Sequence, residues 1–392
     1  MPTIDDPGTI RAGGEGRVAI DAMAAFRALD GQGVERPILL AFTPFDRVNP
    51  FQTLLYRRAW ASGVGPVPVA SWSGLDELVS VAAIAPLVVH LHWTNPVLRR
   101  AASSAESDKA VADTLADLDR LRAAGARIVW TVHNVLPHET RFEAPEVALR
   151  RGLVERADLV HVMAAATPDA VADRYPIPSA KVLHVPHPSY AGAYPDLVDR
   201  AGARYTLDLD EDAVVYALVG GIRPYKGLER LREAFETLHA EDPGRRRLVV
   251  AGNPSRAPET DAFLGWAAAH PAVLALPRSL PAADLALVLR AADVVVLPYE
   301  RILNSGVLML ALTFGRPVVA PHGPGTDELV DPAFGVLFDP ADPSGLADAL
   351  RAADGLRTPG ASAAALTAAA RHDPDALSDR FMTAMRGFAE SL

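Results

Sequence analysis

Short apolar runs alternate with longer segments of helical periodicity along almost the whole chain, and this alternation constrains the fold most strongly. Continuous apolar strands separated by helices need cover on both faces, so the pattern predicts two doubly wound parallel sheets. In the first half the predicted strands are 37–42, 66–69, 87–91, 127–132, 159–162 and 182–185. In the second half they are 214–219, 247–251, 273–276, 294–298, 317–320 and 335–338. The clearest predicted helices are 51–61, 108–123, 145–157 and 228–238.

A chain of 392 residues is too long for one ordinary hydrophobic core, so two domains are expected. The stretch 187–207 has neither helical nor strand period and is predicted to be the linker. We therefore expect a Rossmann-like domain over 1–190, with its first 16 residues disordered, and a second over 206–372. The last segment, 373–392, is amphipathic and is predicted to pack back on the first domain.

Composition excludes several classes of function. A formal net charge of −10 argues against broad nucleic-acid binding, so any anion site has to be local. With no cysteine there is no disulfide framework, thiolate metal site or cysteine nucleophile. The N-terminus lacks a signal peptide's pattern and no apolar run approaches the roughly 20 residues that span a bilayer. We expect a cytoplasmic protein, with peripheral contact at the inner face of the membrane as an alternative.

A glycine-rich turn with two cations follows the first strand of the second half. Its sequence at 219–227 is Val-Gly-Gly-Ile-Arg-Pro-Tyr-Lys-Gly. Gly220 and Gly221 allow the backbone to approach a phosphate, while Arg223 and Lys226 can neutralise one. The turn therefore predicts an anion site, although a surface turn with two solvated cations would have the same sequence.

A second candidate loop follows strand 294–298 and opens the apolar helix after it. Asn304 or Ser305 can cap that helix, and its first N–H groups would then point at a ligand. Capping alone is a sufficient structural explanation, but two such loops at one sheet edge favour a diphosphate. The residues predicted to bind this ligand in and after the loop are Tyr299, Glu300, Asn304, Ser305, Gly306, Val307 and, one strand later, Glu328.

In the first half, histidines cluster at the ends of two predicted strands. His90 and His92 end one strand and His133 follows another, and His138 comes shortly after it. The spacing matches no standard metal motif, so a zinc site is the weaker interpretation. A hydrogen-bonded structural histidine is the common alternative to a catalytic one. We select His133 and His92 as candidate catalytic residues because each follows an apolar strand.

The second half closely resembles GT-B glycosyltransferases of the large family 4 that use nucleotide sugars. The resemblance covers about 210–355 and rests on ordered segments. They are Gly-Gly-Ile-Arg-Pro-Tyr-Lys-Gly at 220–227, Leu-Val-Val-Ala-Gly at 248–252, Ala-Ala-Asp-Val-Val-Val-Leu-Pro at 291–298, Ala-Leu-Thr-Phe-Gly-Arg-Pro-Val-Val-Ala at 311–320, and Glu328 followed by Gly335. The first domain adds Thr-Val-His-Asn at 131–134.

This resemblance implies two Rossmann-like domains facing across a cleft, with the acceptor domain first and the donor domain second. The implied reaction moves a sugar from a UDP- or GDP-sugar to a hydroxyl of a saccharide, glycolipid or small molecule. Arg223, Lys226 and the N–H groups from Ser305 to Val307 would stabilise the leaving diphosphate. The nucleotide sugar is a co-substrate, and neither a cofactor nor a metal is expected. On the acceptor side we expect Trp93, Asn134 and His138.

The chain departs from the family pattern where two glutamates usually stand. Ile302 and Leu310 occupy those positions, so Glu300 is expected to compensate for the sugar contact, and donor and stereochemistry stay open. If the reaction inverts configuration, His133 is the first candidate base and His92 the second. If it retains configuration, as the resemblance suggests by default, the leaving phosphate accepts the proton.

Two alternative functions, and a membrane-binding role for one segment, are also compatible with the sequence. An epimerase or phosphorylase on the same fold would also bind a phosphate, and a bilobed binding protein would bind a ligand without turnover. The segment 51–61 carries Leu54, Leu55 and Trp60 beside Arg57 and Arg58. Such a helix fits a membrane interface, although packing against the core is the commoner use of this pattern.

Overall fold

The computed structural model describes residues 17–137 and 140–389, and the chain divides into two compact units. The first unit runs to Pro186 and takes up the chain again at Pro374, whereas the second spans His187–Asp373. The leader expected to be disordered, the last three residues and the acceptor candidate His138 lie outside the described residues.

Across these two ranges, twelve strands form two parallel sheets of six, which confirms the predicted α/β class. Most strand positions agree with the prediction to within two residues. The observed strands are β1 Ile38–Thr43, β2 Val64–Pro68, β3 Leu87–Leu91, β4 Arg127–Thr131, β5 Leu159–Val162, β6 Val182–His184, β7 Val214–Val219, β8 Arg246–Ala251, β9 Val273–Leu276, β10 Val294–Val296, β11 Val318–Pro321 and β12 Gly335–Phe338.

Helices connect successive strands, as parallel pairing requires. The observed helices are α1 Val18–Gly31, α2 Phe51–Leu55, α3 Leu78–Ala82, α4 Asn95–Leu98, α5 Ser104–Ala123, α6 Glu143–Arg156, α7 Thr167–Val171, α8 Arg200–Thr206, α9 Leu228–Glu241, α10 Pro258–Ala269, α11 Ala282–Ala291, α12 Gly306–Thr313, α13 Pro324–Leu329, α14 Gly345–Ala353, α15 Pro359–Ala370 and α16 Pro374–Ala389. None of these described helices is both long and apolar enough to cross a bilayer.

The strand orders locate the edges where ligands bind in sheets of this kind. The first sheet has the order β2-β1-β3-β4-β5-β6, and the second has the order β12-β11-β10-β7-β8-β9. In doubly wound sheets, ligands bind beyond the carboxyl ends of strands where the order reverses. That point lies between β1 and β3 in the first sheet and between β7 and β10 in the second.

Helix α16 belongs to the core of the first unit. Phe381, Met382 and Met385 are buried among the apolar side chains of β1, β3 and β4. Ser378 fixes the start of the helix, because its hydroxyl donates to the Leu55 carbonyl at 2.8 Å and accepts from the Arg58 N–H at 3.0 Å. Helix α16 therefore covers one face of the first sheet.

The segment predicted as a helix over 51–61 is interrupted, since α2 ends at Leu55 and a 3₁₀ turn, Trp60–Ser62, follows. Leu54 and Leu55 are buried, so they pack on the core. The two arginines that follow α2 pair with α16, in the contacts Arg57–Asp375 at 2.9 Å and Arg58–Asp379 at 3.1 Å. This geometry favours a packing role and leaves the segment no continuous apolar face for a membrane.

The predicted linker 187–207 is not irregular throughout, because it contains α8. Asp199 caps this helix, and Arg204, 1% exposed, is buried beneath it. The Arg204 guanidinium donates to four backbone carbonyls and to Asp293 Oδ2 at 2.8 Å. Periodicity did not reveal α8 because buried polar contacts of one arginine, rather than an apolar stripe, hold it.

Candidate active site

The glycine turn after β7 is shaped by close backbone contacts. Gly220 has φ 91° and Gly227 has φ 69°, conformations that favour glycine. A Cβ on Gly227 would collide with the carbonyl oxygen of Pro298, so the turn touches the backbone just after β10. Between them, Pro224–Lys226 forms a 3₁₀ turn that leads into α9. The structure thus brings together the two predicted ligand loops at the reversal of strand order.

Lys226 is a buried cation, with 6% of its surface exposed. Its ammonium lies 5.2 Å from the ring centre of Tyr299 and close to Gly220, where an added Cβ would be 3.4 Å from Lys226 Nζ and 3.3 Å from Val307 Cγ2. Burial, and to a lesser extent the charge of Arg223, lower the pKa of Lys226. Within the described chain neither Lys226 nor Arg223 forms an ion pair with a carboxylate.

The second loop ends at the start of α12, where Ser305 is the N-cap. Its hydroxyl accepts a hydrogen bond from the Leu308 N–H at 3.2 Å, so Ser305 rather than Asn304 has the capping role. Gly306 is needed here because a Cβ would lie 2.6 Å from the Tyr190 hydroxyl. Two cations that have no carboxylate partner among the described residues therefore lie beside a capped helix start, a combination of groups that can bind an anion.

The other residues predicted to bind the nucleotide-sugar donor differ from Lys226 and Ser305 in their surroundings. Tyr299 is buried, which raises its pKa, and its ring contacts Lys226 instead of standing exposed for stacking. Glu300, and Glu328 in the short helix α13, are exposed. At the family's usual glutamate positions, Ile302 and Leu310 are buried. The sugar-binding roles of Glu300 and Glu328 stay predictions.

In the first unit, the sheet brings polar side chains from three adjacent strands onto one face. Thr131 of β4 pairs with His161 of β5, and His90 of β3 lies one step along the same face. All three are at most 1% exposed. An unpaired polar group in such a place costs about 1–3 kcal/mol, so a hydrogen-bond partner for each of them stabilises the fold.

These partners form one continuous chain of hydrogen bonds. From the loop end inward, the contacts are His133 Nε2 to His92 Nδ1 at 3.0 Å, His92 Nε2 to Tyr56 Oη at 2.5 Å, Tyr56 Oη to His90 Nδ1 at 2.7 Å, His90 Nε2 to Thr131 Oγ1 at 2.6 Å, Thr131 Oγ1 to His161 Nδ1 at 2.9 Å and His161 Nε2 to the Val185 carbonyl at 2.8 Å. We call this series the histidine chain. Its outer member is the residue predicted to be the base.

Aromatic rings enclose the histidine chain. Phe381 of α16 stacks on His90 with ring centres 5.1 Å apart. His133 stacks on Trp93 at 4.5 Å and meets Phe51 edge-on at 5.2 Å. Burial, followed by the neighbouring histidines, holds the pKa values of His90 and His92 well below the usual range, so both rings are neutral at pH 7.

The structure gives no support to the zinc alternative in its described residues, where no group of three or more His, Cys, Asp or Glu side chains could hold a metal ion. His90, His92 and His133 are instead connected through hydrogen bonds. Asn134 is half-buried beside His133, and its carbonyl accepts from the Tyr175 hydroxyl at 3.3 Å. Independence from metal stays a prediction.

Sequence reasoning missed four residues at these sites. Tyr56, Thr131 and His161 complete the histidine chain, and Tyr190 lies against the start of α12. His161 was detectable, since it is the polar residue of an otherwise apolar strand. Tyr56 and Tyr190 gave no such signal, because only tertiary packing brings them to the sites.

Comparisons with known proteins agree on a family. The family model "Glycosyl transferases group 1" matches residues 213–353. A GDP-mannose:glycolipid 4-beta-D-mannosyltransferase of Xanthomonas campestris pv. campestris is 32% identical over 277 residues, which cover 68% of this chain and 72% of that protein. A D-inositol 3-phosphate glycosyltransferase of Actinosynnema mirum is 36% identical over 223 residues, or 53% of this chain and 52% of that one.

Solved structures show the same fold at low sequence identity. A sucrose-phosphate synthase from Thermosynechococcus elongatus matches with a TM-score of 0.72 at 16% identity, over 91% of this chain and 100% of that one. Anabaena HepE in complex with UDP matches with a TM-score of 0.67 at 17% identity, over 90% and 100%. The predicted GT-B class is therefore confirmed. The chain belongs to the group 1 glycosyltransferases and is a glycosyltransferase.

Proposed function

We propose that this enzyme transfers a mannosyl group from GDP-mannose to a hydroxyl of a glycolipid acceptor, with inversion at the anomeric carbon. Two relatives that match 68% of the chain at 32% and 33% identity are named GDP-mannose:glycolipid 4-beta-D-mannosyltransferases. GDP-mannose carries an α linkage, so formation of a β bond reverses the configuration. This comparison supports GDP-mannose over the UDP donors named for neighbours that share only the fold.

One observation carries the diphosphate part of the proposal, namely that Arg223 and Lys226, at the strand-order reversal, have no carboxylate partner among the described residues. A buried ammonium without a carboxylate is unfavourable until an anion arrives. The start of α12 adds N–H donors, and Gly220 and Gly306 keep the surroundings free of Cβ atoms. A diphosphate satisfies all of these groups together.

During transfer, negative charge grows on the diphosphate oxygen as its bond to the anomeric carbon breaks. Groups that bind the diphosphate more strongly in the transition state than in the ground state lower the barrier. Lys226 is well suited to this role because its burial weakens competition from water. Arg223 is half-buried and offers a planar set of donors to the phosphate oxygens.

On the acceptor side, we assign His133 the role of general base. Inversion by a single displacement needs a group that removes the proton of the acceptor hydroxyl. His133 is half-buried at the end of β4 and held between Trp93 and Phe51. Trp93 and Asn134 border this histidine, so we propose that they contact the acceptor sugar.

The deciding experiment combines donor screening with product analysis. The purified enzyme is incubated with GDP-mannose, GDP-glucose, UDP-glucose or UDP-glucuronic acid and a glycolipid acceptor bearing a fluorescent tag, with and without EDTA. We expect β-mannoside formation that EDTA does not abolish, and NMR coupling at the new anomeric centre identifies the linkage. An α-linked product contradicts the inverting mechanism, and transfer from a UDP-sugar alone contradicts the donor assignment.

A matched pair of variants tests the base. His133→Ala should lower kcat about 10²- to 10⁴-fold, the usual contribution of a general base. The control is His322→Ala, which removes an exposed histidine of the second unit. Equal activity of the two variants would remove His133 from the mechanism.

A further inference from the structure

We propose that the histidine chain is a directional hydrogen-bond relay, in which Tyr56, His90, Thr131 and His161 act as positioning residues that set the tautomer of His133 and thereby the ring nitrogen that accepts a proton. The inference rests on the proposed role of His133 as base. It concerns buried residues that lie behind that histidine, in the strands and in the turn after α2.

The direction of the relay follows from its inner end. A backbone carbonyl can only accept, so the His161 Nε2 atom that faces Val185 has to carry hydrogen. In a neutral ring Nδ1 is then an acceptor, and it receives the hydroxyl hydrogen of Thr131. The Thr131 oxygen in turn accepts from His90 Nε2, because the hydroxyl hydrogen is already donated to His161 Nδ1.

Each hydrogen bond farther out along the histidine chain has its direction fixed by the one before it. His90 Nδ1 accepts from the Tyr56 hydroxyl, and the Tyr56 oxygen accepts from His92 Nε2. His92 Nδ1 then accepts from His133 Nε2. With all four rings neutral, the histidines share the Nε2–H tautomer, and His133 carries its lone pair on Nδ1.

This arrangement suits proton removal from an acceptor hydroxyl. The hydroxyl oxygen bonds to the anomeric carbon, the carbon–diphosphate bond breaks and its electron pair leaves with the diphosphate. The hydroxyl proton goes to His133 Nδ1, which makes that ring an imidazolium. Its Nε2–H is already directed at His92 Nδ1, and this hydrogen bond to a neutral acceptor stabilises the imidazolium at His133. After product release, His133 loses the proton to water.

A second buried threonine in the same sheet provides a comparison for Thr131. Thr43 ends β1 of the same sheet and is 0% exposed, yet its hydroxyl has no hydrogen-bond partner within the part of the chain that the structure describes. Thr131, 1% exposed, makes two close contacts with histidines. The sheet therefore tolerates a buried threonine hydroxyl outside any such network, and the linkage at Thr131 is specific to its position.

Histidine ¹⁵N NMR tests the tautomers directly and does not depend on activity. In the wild-type protein at pH 7.5 we expect protonated Nε2 and unprotonated Nδ1 for His90, His92, His133 and His161. Thr131→Val removes the group that fixes the direction, so a detectable fraction of His133 should change to the Nδ1–H form. Protonated Nδ1 on any of the four rings in the wild-type protein would overturn the proposal.

Kinetics of matched variants test its catalytic importance. Thr131→Val and Tyr56→Phe should each lower kcat about tenfold or more with little change in the KM for donor or acceptor, whereas Thr43→Val should leave kcat within about twofold. Thr131→Ser keeps the hydroxyl and should restore most of the activity. If Thr131→Val and Tyr56→Phe both match Thr43→Val, the relay is wrong, while inverting transfer that needs His133 would still stand.

If either substitution prevents folding, the wild-type tautomers remain decisive. Their measurement is independent of those variants. Failure of the proposed function would have another signature, an α-linked product or full activity of His133→Ala, and it would leave the NMR result intact.

Discussion

The candidate sites of the two units treat their buried polar groups in opposite ways. In the first unit, Tyr56, His90 and Thr131 bind one another, and the series ends on a backbone carbonyl. In the second unit, Lys226 and Arg223 have no carboxylate partner within the described residues. The first arrangement is neutral and complete, whereas the second is charged and incomplete.

This difference indicates what each region does. A closed neutral network preserves the orientation of its members and contributes to the stability of the protein without a ligand. Buried unpaired charge reduces stability, so its presence marks a place where a ligand supplies the missing charge. The second unit is therefore expected to respond strongly to a diphosphate and the first to pH.

The largest expected effect tests the incomplete site. Lys226→Met keeps the length of the side chain and removes its charge, and kcat should fall about 10²- to 10³-fold, as for loss of one group that stabilises developing charge. The ligand-free variant should melt at a higher temperature than the wild type, because a buried ammonium is gone. Steady-state kinetics and differential scanning fluorimetry with and without GDP measure both effects.

Lys109→Met is the matched control, since Lys109 is exposed on α5 of the first unit. It should preserve activity and the stabilisation by GDP. If Lys226→Met keeps normal turnover, Lys226 does not bind the leaving group. A lower melting temperature without ligand would show that the ammonium stabilises the free protein, and the anion site would then not be an incomplete one.

The next effect tests the neutral network through pH. Burial lowers the pKa values of His90 and His92, so below about pH 6.5 the unfolded chain binds protons that the folded chain does not. Stability is then fully present above that pH and falls as the pH decreases, by at most about 1.4 kcal/mol per pH unit for each histidine. His187 of the second unit, whose pKa burial lowers to about 4, acts with the same sign.

Urea unfolding between pH 7.5 and 5.5 measures this dependence before most carboxylates titrate. Tryptophan fluorescence reports mainly on the first unit, because Trp60, Trp72, Trp93 and Trp130 belong to it and Trp266 alone to the second. We expect the free energy of unfolding seen by fluorescence to fall by about 2 kcal/mol between pH 6.5 and 5.5. A constant value over that interval would mean that the histidines are not neutral in the folded protein.

The smallest effect compares one helix cap from each unit. Ser305 caps α12 and Ser103 caps α5, each accepting an N–H hydrogen bond at 3.2 Å. Alanine at either position should lower the free energy of unfolding by about 1 kcal/mol. Ser305→Ala should also weaken GDP binding, because the cap orders N–H donors at the anion site. Calorimetric titration with GDP separates the two variants, and equal GDP affinity would exclude a role for the α12 start.

Local pattern predicted most of the framework. Residues 214–219 and 159–162 form strands with the predicted bounds because a buried parallel strand is apolar at every position except where function requires otherwise. The prolines of β2 made its bounds less certain, since only its place at the sheet edge, beside β1, permits them. Helix 51–61 was predicted too long because contacts with α16 decide where α2 ends.

The sequence by itself determined the two parallel sheets, the glycine turn with Arg223 and Lys226, and a capped start of α12 at Asn304 or Ser305, because these depend on periodicity and on backbone rules that act over a few residues. Only the tertiary structure decided that Lys226 is buried against Tyr299 and that five residues connect His133 to the Val185 carbonyl. Those contacts join side chains far apart in sequence, and no local pattern encodes which of them meet. The sequence therefore identified some of the candidate site residues, whereas their protonation and the direction of their hydrogen bonds depend on burial.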